Sequence, residues 1–202
     1  MTTPIACRYA SPIRSLLKAD AYLKPWVKVE CGARGAYEPD VKRDITPYIQ
    51  TELGNRFKLA TKAVTLISAE RTFWENALIL HGIYCGFRDD EGRRPGDKNL
   101  ISRHYYDVAM MRDRAEGLRA VRDEGLLDRF RIHKQLMFRR GWEKLDEAKR
   151  GGIRVVPQKE IRKDLEKDYA DMQGMMFGDA PTFAWIIGEL EKLEEAVNKR
   201  LV

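Results

Sequence analysis

Between Ala69 and Cys85 the chain reads AERTFWENALILHGIYC, which sets Phe73, Ala77, Leu80 and Tyr84 at i, i+4, i+7 and i+11. That spacing draws one apolar stripe along a period of 3.6 residues, so the stretch is expected to be a helix packed on a core. Ser68 precedes it with a hydroxyl suited to capping the first turn. Immediately upstream, Ala63-Val64-Thr65-Leu66-Ile67 is a short apolar run that reads as a strand buried on both faces. Further upstream, Trp26-Val27-Lys28-Val29-Glu30-Cys31 alternates, with Val27, Val29 and Cys31 on one face and Lys28 and Glu30 on the other, until Gly32 and Gly35 break it. Between these strands a short helix is expected over residues 44–53, stopped by Gly54.

Downstream the sequence turns helical. Residues 87–100 are rich in Gly, Asp and Arg without an apolar period and read as an exposed loop. Helices are expected over residues 103–112, over 124–140 with Leu126, Phe130 and Met137, and over 158–177 with Ile161, Leu165, Met172 and Met176. A last helix over 182–200 places Phe183, Ile186, Leu190, Leu193 and Val197 on one stripe, and Pro157 and Pro181 suit the turns ahead of these two helices. The pattern predicts an α+β fold, with a small sheet packed against a mostly helical carboxyl-terminal part. Residues 1–100 would hold the sheet and residues 101–202 the helices, within one compact unit.

A chain of 202 residues with 44% apolar content is large enough to bury a continuous core. No stretch approaches the roughly 18 to 20 uninterrupted apolar residues of a membrane span, and Met1-Thr2-Thr3-Pro4 does not start a signal peptide, so a cytoplasmic protein is expected. Cys7, Cys31 and Cys85 are odd in number and far apart, which fits reduced packing residues rather than a zinc or redox pair. His81, His104 and His133 lack the i,i+4 spacing that presents two metal ligands on one helix face.

The net charge of +6 comes from 37 basic and 31 acidic residues, which permits polyanion binding without demonstrating it. Eight Lys or Arg face three acids across residues 129–150, and a second basic group is Arg88, Arg93, Arg94, Lys98 and Arg103. Phosphate contacts are expected there first. Asp89-Asp90-Glu91 lies among arginines and reads as a solvated loop. Trp26, Trp74 and Trp185 read as core residues rather than base-stacking platforms, and Met172, Met175 and Met176 as adaptable helix packing.

Three blocks in order, Val27-Lys28-Val29-Glu30-Cys31-Gly32-Ala33-Arg34-Gly35, Glu70-Arg71-Thr72-Phe73-Trp74-Glu75-Asn76-Ala77 and Arg103-His104-Tyr105-Tyr106-Asp107, closely resemble the AbiEii nucleotidyltransferase toxins. The tail is similar to the closing helices of the same family, from Asp168-Tyr169-Ala170-Asp171-Met172 through Met175-Met176-Phe177-Gly178 to Pro181-Thr182-Phe183. The resemblance implies a polymerase-β-like core in which a Gly-Ser turn and a D-x-D carboxylate pair hold magnesium beside a third carboxylate. It also implies a toxin of a type IV toxin-antitoxin system, with a nucleoside triphosphate and a tRNA-like RNA as substrates and an antitoxin as partner. Divalent metals in such cores bridge triphosphate oxygens and lower the pKa of the attacking hydroxyl.

Carried over position by position, the resemblance makes Glu30 the third, metal-binding carboxylate and Asp107 the aspartate that positions groups around the nucleotide. Each also has a plain reading, Glu30 as a solvent-facing strand acid and Asp107 as a carboxylate stabilised by the helix dipole. Asn76 stands where the family has a lysine that contacts the triphosphate, and an amide supplies no positive charge. Arg71 and Arg103 complete the nucleotide-binding candidates, although Arg71 is also placed to pair with Glu75 at i,i+4 on the helix surface. Upstream of Glu30 the only acid is Asp20, so the expected D-x-D pair is not found there.

The expectation is therefore a truncated or degenerate nucleotidyltransferase that is inactive alone. Magnesium is its cofactor only where the site functions. One rival reading has a second chain supplying the missing segment, and another is an RNA-binding or regulatory module using the two basic patches. Strands left without their usual neighbours would expose apolar surface, which predicts a homodimer.

Overall fold

The computed structural model describes residues 7–12, 26–31, 39–56, 59–89, 100–138, 140–176 and 178–199. In chain order these form β1 (Cys7–Pro12), β2 (Trp26–Cys31), β3 (Asp40–Ile45), α1 (Ile49–Leu53), β4 (Thr61–Ile67) and α2 (Ala69–Asp89). The helices α3 (Ser102–Met111), α4 (Ala115–Arg122), α5 (Glu124–Phe138), α6 (Lys159–Met172) and α7 (Phe183–Asn198) follow. The class is α+β. No helix among the described residues is long and apolar enough to cross a membrane.

The strands form two separate antiparallel ribbons, β1 with β2 and β3 with β4, rather than one sheet. The first pairs Cys7 with Cys31 and Arg8 with Glu30. The second shifts register between Arg43 and Ile45, where the Asp44 carboxylate accepts the Ala63 N–H at 2.9 Å and the Lys62 ammonium at 2.8 Å. This local satisfaction explains why residues 44 and 45, expected to open a helix, stay in the strand. The helix begins only after Pro47, and Gly54 does end it, with φ +52°.

The expected burial of β4 on both faces is overturned. Thr61, Lys62, Ala63, Thr65 and Ile67 are exposed, because among the described residues no further layer packs on this two-stranded ribbon. Ile45, Ile49, Leu53, Leu59 and Ile67 are all exposed in this region. Self-association was expected to cover just such a surface.

Among the described residues the hydrophobic core begins after Ser68 and is made by helices and their connections, not by a helix layer on a sheet. At its centre is α2, which packs against α3, α4, α5 and the 141–143 turn. Ser68 caps it as expected, its Oγ accepting the Arg71 N–H at 3.2 Å. Phe73, Trp74, Ala77, Leu78 and Leu80 are fully buried, and the Trp74 indole N–H donates to the Ala120 carbonyl at 3.1 Å.

The buried His81 ties two connections to α2. The Arg154 backbone N–H donates to its Nδ1 at 3.0 Å, so the ring proton sits on Nε2 and is donated to the Lys144 carbonyl at 3.1 Å. Cys85 is a buried free thiol whose pKa burial pushes up to about 11.

The sequence spacing did not reveal α4, because Gly117 and Ala120 are its buried residues and Leu118 is exposed. Gly117 sits so close to the Met111 carbonyl that a Cβ would fall 2.0 Å from that oxygen. Two other expectations fail by local geometry. Trp185 is exposed, since α7 buries the neighbouring stripe of Phe183, Ile186, Leu190 and Leu193, and Met175 lies in an exposed turn after α6 ends at Met172. Trp26's side chain, Arg93, Arg94, Lys98, Asp90 and Glu91 fall outside the described residues.

Because Trp74 joins α2 to α4 through both packing and its indole hydrogen bond, Trp74→Ala is expected to lower unfolding free energy by about 3–5 kcal/mol. Urea denaturation followed by circular dichroism measures it.

Candidate functional site

The site rests on the α2–α3 contact. The carboxylate of Asp168, on α6, accepts the Ser102 N–H at 2.7 Å and so holds the first turn of α3. Tyr169 hydrogen-bonds the Pro181 carbonyl at 2.7 Å and packs on Tyr106 and Phe183, so the closing helices fix the helix that carries His104 and Asp107. Asp168 is a positioning residue that spacing alone did not single out. Its only signal was its place at the head of the matched tail block.

On the facing side of α2, Asn76 is nearly buried and bridges two α3 residues. Its Nδ2 donates to Asp107 Oδ2 at 3.4 Å, and its Oδ1 accepts from His104 Nδ1 at 2.8 Å. The amide therefore sets the tautomer of His104, with the proton on Nδ1 and Nε2 as the basic nitrogen. Burial lowers the His104 pKa to about 4, helped by the charges of Arg103 and Lys134. Burial also raises the Asp107 pKa, against the smaller opposing effects of Arg103 and of the Asn76 hydrogen bond. At neutral pH the cluster holds a neutral imidazole and a neutral amide beside the Asp107 carboxyl group, which forms no ion pair among the described residues.

A second feature lies beside this cluster. A half-open cavity of about 710 Å³ lies between α2, α5 and the 141–143 turn. Glu75 and Ile79, which flank Asn76 along α2, line it, as does Ile101, whose carbonyl accepts the His104 N–H at 3.0 Å. Gly82 admits the turn, since a Cβ there would meet Glu143 Cγ at 3.0 Å.

Arg71 also lines this cavity. It pairs with Glu75 at 2.7 Å as the i,i+4 spacing suggested, but it is only 3% exposed and its guanidinium lies 5.2 Å from the Phe130 ring centroid. The expected surface pair is thus a buried cation held against an aromatic face. Arg103 is exposed on α3 and acts on His104 and Asp107 through its charge.

The sequence candidates are only partly brought together. Asn76 and Asp107 meet and Arg71 lies one to two turns along the same helix, while the backbone of Glu30 stands on β2 paired with β1 and its side chain lies outside the described residues. Among the described residues no three carboxylate, imidazole or thiolate side chains converge to hold a metal ion. Asn76, His104 and Asp107 bring together a single carboxylate, which does not make up the expected magnesium set.

Several cations of the basic segment 129–150 are paired with nearby acids. Arg129 bonds Asp123 at 3.1 Å, Arg131 bonds Asp128 at 3.0 Å, and Lys134 and Arg140 share Glu143. Arg88, from the other basic group, holds Glu147 and Asp89.

A family model described as nucleotidyl transferase AbiEii toxin, type IV TA system, matches residues 5–198. No curated protein and no solved structure matches the chain.

The buried histidines set the acid response. His81 and His104 both have lowered pKa values in the fold, while the unfolded chain protonates near 6.5. Between that value and about 4 the unfolded state binds more protons, so stability falls as pH drops. Asp107, with its raised pKa, opposes the fall only at the acidic end. Thermal melts are expected to show Tm decreasing from pH 7 to pH 5, and His104→Gln to decrease less steeply.

Proposed function

The chain belongs to the AbiEii family of nucleotidyl transferase toxins of type IV toxin-antitoxin systems, and from that premise we propose a member that recognises a nucleoside triphosphate but does not transfer its nucleotide unaided. The observation that carries this reading is the amide at position 76, bonded to both Asp107 and His104. Where the family resemblance implies a lysine against the triphosphate, this chain places a neutral group that binds its own neighbours. Transfer of a nucleotidyl group depends mostly on positioning and on charge that stabilises the phosphates in the transition state. Without a cation at this point the cluster orients polar groups and supplies little of that charge.

The residues still suit recognition. His104 Nε2 accepts a hydrogen bond, such as a ribose hydroxyl donates, while the Asn76 bond prevents the ring from turning. The Asp107 carboxyl group, desolvated and without an ion-pair partner among the described residues, has room to accept a second donor. Arg103, exposed one turn earlier on α3, brings positive charge near both. An antitoxin partner and an RNA acceptor belong to the same reading, through the family alone. The RNA-binding rival has less support, because Arg129, Arg131, Lys134 and Arg140 each lie against a neighbouring acid.

Isothermal titration with each nucleoside triphosphate tests the proposal. At least one is expected to bind, and Asp107→Ala to weaken it about tenfold. Unchanged affinity in Asp107→Ala would remove the cluster from the site. Asn76→Lys, which adds a charge-assisted contact, is expected to tighten binding by about 10- to 100-fold.

A further inference from the structure

Cys7 and Cys31 are far apart in sequence, yet the register of the β1–β2 ribbon sets them directly opposite one another, where Cys7 opens β1 and Cys31 closes β2. Directly opposed residues of an antiparallel pair have Cα atoms about 4.5 or about 5.5 Å apart, depending on whether the two exchange backbone hydrogen bonds. Both separations fall within the span of about 4.4–6.8 Å over which a disulfide joins two Cα positions. Opposed residues also share one face of the ribbon, because successive residues alternate between faces. The backbone thus meets the distance requirement for a cross-strand bond, which sequence spacing alone did not suggest.

Val29, two residues before Cys31 and on the same face, is 48% exposed, so this face is open to solvent beside the pair. The third cysteine is the opposite case. Cys85 is fully buried in the helical core, and burial pushes its thiol up to about 11, which suppresses the thiolate that thiol–disulfide exchange uses. It does not compete for a partner. The next register position sets Arg8 opposite Glu30, so a bond between Cys7 and Cys31 would also hold the backbone of Glu30 against β1.

We propose that Cys7 and Cys31 form a redox-responsive pair, which a low-molecular-weight disulfide such as oxidised glutathione links and excess thiol releases. One cysteine sulfur attacks the small disulfide, giving a mixed disulfide and one released thiol. The other cysteine sulfur attacks the mixed disulfide, forming the bond between Cys7 and Cys31 and releasing a second thiol. The protein thiols are oxidised, the small disulfide is reduced, and the cysteine protons end on the released thiols. Oxidation closes residues 7–31 into a loop and pins a two-stranded ribbon, an element that is marginal by itself.

Equilibration of the intact chain with oxidised and reduced glutathione over a range of ratios, followed by alkylation in denaturant and peptide mapping by mass spectrometry, tests it. The expected product is a monomer with Cys7 and Cys31 cross-linked and Cys85 alkylated, reopened by excess reduced glutathione. The link is expected to form about 30- to 1,000-fold more favourably in the native protein than in the urea-unfolded chain. Cys31→Ser is expected to leave Cys7 as a mixed disulfide only. Backbone amides of β1 and β2 are expected to exchange with deuterium more slowly in the linked protein than in the reduced one. Glutathione retained on both cysteines without a cross-link, a link from either to Cys85 or to another chain, or equal link formation in native and unfolded protein would overturn the pair. Unchanged exchange in the linked protein would overturn the pinning of the ribbon.

Discussion

The structure depends on the burial of one helix from nearly every side. A 21-residue helix normally hides one stripe, yet α2 also buries Arg71, Asn76 and His81. Each buried polar group needs a partner, and each partner fixes another element. His81 fixes the backbone at Lys144 and Arg154, Trp74 reaches the backbone of α4, and Asn76 links to α3. The carboxylate of Glu194 on α7 adds to the framework by accepting the N–H groups of Val155 and Val156 at 2.8 and 3.1 Å. Polar satisfaction, as much as apolar packing, decides how the helices meet.

The same requirement explains the chemistry left at the cluster. A lysine at position 76 would have faced Asp107 as an ion pair, and the asparagine satisfies Asp107 and His104 with one donor and one acceptor instead. The amide keeps the buried contact intact while withdrawing its charge. Positive charge reaches His104 by another route, from Arg103 on α3 and Lys134 on α5.

Much of the helical half was legible in the sequence, for reasons specific to its residues. The stripe of Phe73, Ala77, Leu80 and Tyr84 identified α2, Ser68 its cap and Thr182 the start of α7, because long apolar side chains and hydroxyl caps leave strong local patterns. The small residues Gly117 and Ala120 left no such pattern, and α4 went unseen. The apolar run 63–67 was a strand, but its exposure depended on the absence of a covering layer in the described structure, a tertiary fact that periodicity does not carry. At the site, motif position found Asn76 and Asp107. It did not find the hydrogen bond from His104 to Asn76, which exists only once α2 and α3 are docked.

The central claim is that this chain recognises nucleotides without transferring them. Incubating the purified protein with radiolabelled nucleoside triphosphates, magnesium and total RNA, and counting label in the RNA, tests it most directly. The account predicts label no higher than in the protein-free control, while the same triphosphates bind. Label incorporated by the unmodified chain and lost in Asp107→Ala would contradict it, and would mean that an asparagine at position 76 suffices where the family resemblance calls for a lysine.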